Sequence, residues 1–110
     1  MSECIFCRIG SGEIASQMVY QDPEIIAFRD IHPQAPTHIL VIPRKHIVSL
    51  AELKQDDLPV VARMIEAANK IAKEQNISDG YRLVINTGSK AGQVVMHLHL
   101  HLLGGKQFSD

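Results

Sequence analysis

The chain has 110 residues, 45% of them hydrophobic, with 11 basic and 12 acidic side chains and a formal net charge of −1. A chain of this size suits one soluble domain over residues 1–110, excludes a two-domain reading, and buries roughly two-thirds of its unfolded surface, enough for a core without disulfides or an obligatory metal. The mixed charge excludes the basic stripe that long nucleic acid or an anionic membrane surface requires.

The opening residues Met1-Ser2-Glu3-Cys4 lack a basic segment followed by an apolar one, so neither a secretory leader nor a membrane span is expected. With Cys4 and Cys7 as the only cysteines, a reducing cytoplasm is the expected setting. In Cys4-Ile5-Phe6-Cys7 the two-residue gap lets both thiolates reach one metal. Zinc would then take two further ligands, with histidines the ready supply. A redox pair would need a strand before Cys4, and two plain thiols are the remaining alternative. Met18-Val19-Tyr20 and Ile25-Ile26-Ala27-Phe28, separated by Asp22-Pro23-Glu24, predict a hairpin. Asp30 at its end is either a turn former or the kind of carboxylate that grips two ribose hydroxyls.

The β-branched run from His38 to Pro43 predicts a buried strand closed by a proline. The following Arg44, Lys45 and His46 form a basic patch that suits a solvated strand end or attraction of a nucleotide. From Asp56 to Asn76, apolar residues at Leu58, Val61, Ala62, Met64, Ile65, Ala68, Ile71 and Ala72 predict a helix, with Asp56 and Asp57 as its cap. Tyr81–Asn86 and Met96–Leu103 predict two more strands around a loop, Thr87–Gln93, that carries two glycines. The fold class is α+β, a five-stranded antiparallel sheet with one long helix on a face.

The richest segment is His97-Leu98-His99-Leu100-His101-Leu102. In a strand the leucines face the core and the three histidines share the opposite face. Neighbouring histidines on that face stand roughly 6 to 7 Å apart and the outer two about 13 Å, so one ion cannot easily take all three. The row instead suits phosphoryl chemistry, with one imidazole as nucleophile and its neighbours giving hydrogen bonds to an anion. Such a nucleophile must be neutral and must donate its other ring N–H to a fixed carbonyl. The glycine-punctuated loop just upstream can aim backbone N–H groups at a phosphate. A metal-dependent hydrolase with an adjacent histidine pair on catalytic zinc is the second enzyme class considered.

Together, Phe28-Arg29-Asp30-Ile31, Pro33-Gln34-Ala35-Pro36-Thr37-His38, Val41-Ile42-Pro43-Arg44-Lys45-His46-Ile47 and Gly92-Gln93 before the row resemble the histidine-triad (HIT) family. Within it, the chain is similar to the Hint branch of nucleoside phosphoramidases, from about Cys4 to Gly105. The resemblance implies a short N-terminal helix besides the long one, a homodimer that joins two sheets, and hydrolysis of the P–N bond of purine nucleoside 5′-phosphoramidates. It makes His99 the nucleophile, with His101 on the phosphate and His38 buttressing the central histidine. Asp30 would hold the ribose, Ile5, Phe6, Ile9, Phe28, Ile31 and Leu40 the purine, and Asn86, Gly92 and Gln93 the phosphate. It also implies structural zinc on Cys4, Cys7, His46 and His97, with no cofactor required for the chemical step. Val94 stands where many such proteins have serine, and His32 also replaces a serine. A nucleotide-binding protein with little turnover, or a dinucleoside polyphosphate hydrolase, is the alternative.

Overall fold

In the computed structural model, which describes residues 3–109, helix α1 (Ile5–Gly10) precedes the hairpin of β1 (Met18–Gln21) and β2 (Ile25–Arg29). There follow β3 (Thr37–Pro43), helix α2 (Leu58–Glu74), β4 (Tyr81–Val84) and β5 (Leu100–Gly104). The five strands lie in the order β1-β2-β3-β5-β4, each pair antiparallel. The predicted fold class and the short N-terminal helix are both present.

Period-two alternation sorts the strand side chains between two faces. Ile25, Ala27, Ile39, Val41, Leu100 and Leu102 pack under Met64, Ala68, Ile71 and Ala72 of α2. Ile26, Phe28, Leu40 and Ile42 face the other way and pack with Phe6 and Ile9 of α1. All seven residues of β3 are therefore buried, each large apolar one worth about 1.5–3 kcal/mol of burial. His38 and His101 lie on the α1 side, because Leu40 pairs with His101 and His38 with Leu103.

Local chemistry fixes the ends. The Asp22 carboxylate accepts from the N–H groups of Glu24 (2.8 Å) and Ile25 (2.7 Å), which closes the hairpin turn. Arg44 donates to the carbonyls of Asp22 (2.7 Å) and Gly10 (3.0 Å), tying the end of α1 to that turn. Just past the end of α2, Asn76 adopts a φ of 60°, which turns the chain so that the N–H of Ile77 reaches the Ala72 carbonyl, while the Asn76 N–H reaches that of Lys73.

Three boundaries differ from the sequence expectation. Asp57 precedes α2 without a side-chain cap bond; its carboxylate instead takes Lys45 Nζ (2.6 Å) and the Lys54 N–H (3.1 Å), and two 3₁₀ turns lead into the helix. The histidine strand begins at Leu100 rather than Met96. Upstream, the Leu98 N–H goes to Ile47 and the His97 carbonyl to the His99 ring, so neither joins a ladder. β4 correspondingly stops at Val84, paired with His101, before Asn86.

Candidate active site and metal cluster

A cavity of about 530 Å³ opens on the α1 side of the sheet. Its apolar end is built by Ile5, Phe6 and Ile9 of α1 with Phe28 and Leu40 of the sheet, and its polar end by Asp30, His38, His99 and His101. Ile31, Asn86 and Gly92 of the expected set also line it. Ile14, Ala15, Ser16 and Val95, which carry no motif, also line it, as do Arg29 and Gln34, which lie within recognised motifs but carry no assigned role. Ile31 and Val94 project from the rim with 85% and 87% of their surfaces exposed.

Backbone groups fix the histidine tautomers, because a carbonyl only accepts and an N–H only donates. His99 Nδ1 lies 2.7 Å from the His97 carbonyl, so Nδ1 carries the proton and Nε2 keeps its lone pair. The Gln34 N–H donates to His38 Nδ1 at 3.0 Å, which leaves the His38 proton on Nε2. That proton points at His101 Nδ1, 2.9 Å away, so His101 carries its own on Nε2. His38 thus buttresses His101 and not the central histidine, whose support is the carbonyl two residues before it. With His99 and His101 ring centroids 5.0 Å apart, a lone pair and an N–H donor stand side by side.

Burial, reinforced by His99 and His38, pushes the His101 pKa down from 6.5 to about 4. Burial also lowers that of His38, against the opposing pull of Asp30, whose Oδ2 is 3.5 Å from His38 Nε2. Both rings are neutral near pH 7. Between about pH 4 and 6.5 the unfolded chain binds the more protons, so stability rises with pH through that window and is lost as pH falls. The Tm is therefore expected to drop on acidification from about pH 7.5 to 5.5, and to drop less in His101→Asn. Equal drops in the two proteins would exclude this source.

Asp30, His38 and His101 place donor atoms within 4.8 Å of one another. They nonetheless make a poor metal site, because His38 would have to offer the Nε2 that already holds its proton while Nδ1 faces the Gln34 N–H.

The second cluster is different. Cys4 caps α1, its Sγ accepting from the Cys7 N–H at 3.4 Å, and so the helix start brings both sulfurs to one side. His97 donates Nε2–H to the Pro43 carbonyl at 2.8 Å, which leaves the Nδ1 lone pair 3.3 Å from Cys4 Sγ and 3.5 Å from Cys7 Sγ. His46 Nδ1 lies 3.3 Å from Cys7 Sγ. A tetrahedral ion with two sulfur and two nitrogen ligands would need donor separations of about 3.3 to 3.8 Å. The donor set fits a metal, and it divides the histidine row: His97 goes to the cluster, His99 and His101 to the cavity.

One expected phosphate-lining residue needs correction. Gln93 does not line the cavity: it is buried, and its amide accepts from the Gly88 N–H (2.8 Å) and donates to the carbonyls of Val48 (2.7 Å) and Val95 (3.1 Å). Arg44 and Lys45 are committed to the hairpin turn and to Asp57, as the solvated strand end would have it.

The HIT domain family model matches residues 11–108. The chain is 50% identical over 105 residues to the purine nucleoside phosphoramidase of Escherichia coli (strain K12), covering 94% of this chain and 88% of that protein. It is 44% identical to the 14 kDa zinc-binding protein of Zea mays, covering 98% of this chain and 86% of the relative. The crystal structure of a HIT family hydrolase from Legionella pneumophila Philadelphia 1 superposes with a TM-score of 0.95 at 49% identity, covering 97% of this chain and 96% of that one.

Proposed function

Because this chain belongs to the HIT domain family, we propose that it is a hydrolase that cleaves the P–N bond of purine nucleoside 5′-phosphoramidates, adenosine-type substrates preferred. One observation carries the reading. His99 has its Nδ1 proton held by the His97 carbonyl, and its free Nε2 stands in a cavity beside the His101 N–H. In the first step Nε2 forms a bond to the α-phosphorus, the P–N bond breaks, and the amine departs with a proton taken from solvent, which the water of the second step returns. Water then cleaves the nucleotidyl-histidine, releasing the nucleoside monophosphate and restoring the ring. His101 Nε2–H donates to a phosphate oxygen as charge develops there. Asp30, whose Oδ1 also accepts the His32 N–H at 2.8 Å, takes the ribose hydroxyls, and Ile5, Phe6, Ile9, Phe28, Ile31 and Leu40 enclose the base. Asn86 and Gly92 lie along the phosphate.

Zinc is the metal we assign to Cys4, Cys7, His46 and His97, a set that the name of the maize relative supports. When bound it supplies a structural cross-link and, with four protein ligands, no open position. The reading extends to a homodimer and a cytoplasmic location; no described helix is long and apolar enough to cross a membrane.

The test is release of a fluorescent amine from an adenosine 5′-phosphoramidate, at saturating substrate, before and after zinc is stripped under conditions that keep the circular dichroism unchanged. Turnover is expected in both states. Activity lost with zinc and restored by it would favour metal-dependent hydrolysis, and tight AMP binding without turnover a binding protein.

A further inference from the structure

Helix α1 serves two sites at once. Cys4 at its cap and Cys7 within it face the metal cluster, while Ile5, Phe6 and Ile9 form the apolar wall of the cavity. Six residues make a helix far below the roughly 12 to 15 needed for stability in isolation, so its position depends on its attachments. Those are the sulfur contacts to His46 and His97 at one end, Arg44 on the Gly10 carbonyl at the other, and the packing of Phe6 and Ile9 between. Phe6 touches both functions directly, its ring meeting His97 edge-on at 5.9 Å and His99 at 5.1 Å. A metal that draws four donors together fixes the helix start, and a base seated on Ile5, Phe6 and Ile9 fixes the same helix from its other side. Either ligand then spends less free energy ordering α1 when the other is present.

Taking the cavity as the purine nucleotide site proposed above, we propose that metal binding at Cys4, Cys7, His46 and His97 and nucleotide binding in the cavity are positively coupled through α1. Reciprocity requires each ligand to raise affinity for the other by one common factor, here roughly 5- to 50-fold. The coupling reaches the base wall without any shared ligand residue, since none of Cys4, Cys7, His46 and His97 lines the cavity.

The experiment is calorimetric titration of AMP, and separately of adenosine, into the full chain loaded with Zn²⁺ and into the stripped chain, with circular dichroism as the check on folding. Zinc affinity is measured in parallel against a competing chelator, with and without saturating AMP. Stripping is expected to raise the AMP dissociation constant roughly 5- to 50-fold, AMP to lower that for zinc by the same factor, and adenosine to retain the effect. His46→Asn, which weakens the metal site from its exposed side, is expected to weaken AMP binding at a fixed low zinc concentration and thus serves if the stripped chain unfolds. Equal AMP affinity in folded loaded and stripped chains overturns the coupling and leaves the nucleotide reading intact. An effect confined to AMP and absent for adenosine points to zinc meeting phosphate directly and overturns the route through α1. No AMP binding in either state overturns both readings.

Discussion

Replacing His99 by alanine is expected to lower kcat/KM for an adenosine phosphoramidate by at least about 10⁴-fold while AMP still binds within a few-fold of wild type. Neither of the histidines flanking it in the row, nor His38, can take over. His101 presents an N–H and not a lone pair, because its Nδ1 already accepts from His38, and His38 presents its N–H to His101. His97 has both ring nitrogens committed, one to the Pro43 carbonyl and one beside the two sulfurs. Removing His99 therefore leaves orientation and hydrogen bonding in place with no free imidazole lone pair at its position. Binding survives because the base wall and Asp30 are untouched. Two measurements decide the matter: steady-state release of the amine, and mass spectrometry of acid-quenched protein, where wild type should carry a nucleotidyl adduct and the variant none. A variant that retains activity within tenfold of wild type would remove His99 from the nucleophile role and return the row to a binding or metal function.

The elements of this fold are legible in the chain because their signals are local. The apolar runs Ile25–Phe28 and Ile39–Ile42 and the helical spacing of Met64, Ala68, Ile71 and Ala72 each arise within one element, and each run is a strand or helix with its apolar side chains buried. Alternation even survives where the ladder fails, since Leu98 is in the core beneath α2 and the flanking His97 and His99 are turned away from it. The partners of the polar groups were out of reach. That His38 serves His101, 63 residues away in sequence, depends on β3 pairing with β5 in one register, and a slip of one residue would reverse it. The carbonyl that sets the His99 tautomer belongs to backbone just outside a strand, and the alternating pattern that predicts a strand from Met96 conceals it. Asp57 shows the same limit: its place before a helix predicts a cap, and Lys45 takes the carboxylate instead.

Gln93 yields the other large effect, on stability rather than on chemistry. Its side chain is 3% exposed, and its amide satisfies three backbone groups at once, the Gly88 N–H and the carbonyls of Val48 and Val95. Between those groups runs the segment that brings Gly92, Val94 and Val95 to the cavity, turning at Gly88 and Gly92 with φ of 85° and 94°. Gln93→Ala leaves the three groups without a protein partner, and partial rescue by water keeps the cost near 3 kcal/mol, which lowers Tm by roughly 10 to 15 °C. Gln93→Glu should fare no better. It keeps an acceptor for Gly88 but turns a carboxylate oxygen toward two carbonyls where an NH₂ now donates. A direct phosphate ligand predicts the opposite signature, with Tm unchanged and KM for the phosphoramidate raised in both variants. Thermal melts of wild type and the two variants, beside their KM values, separate a brace behind the cavity wall from a contact within it.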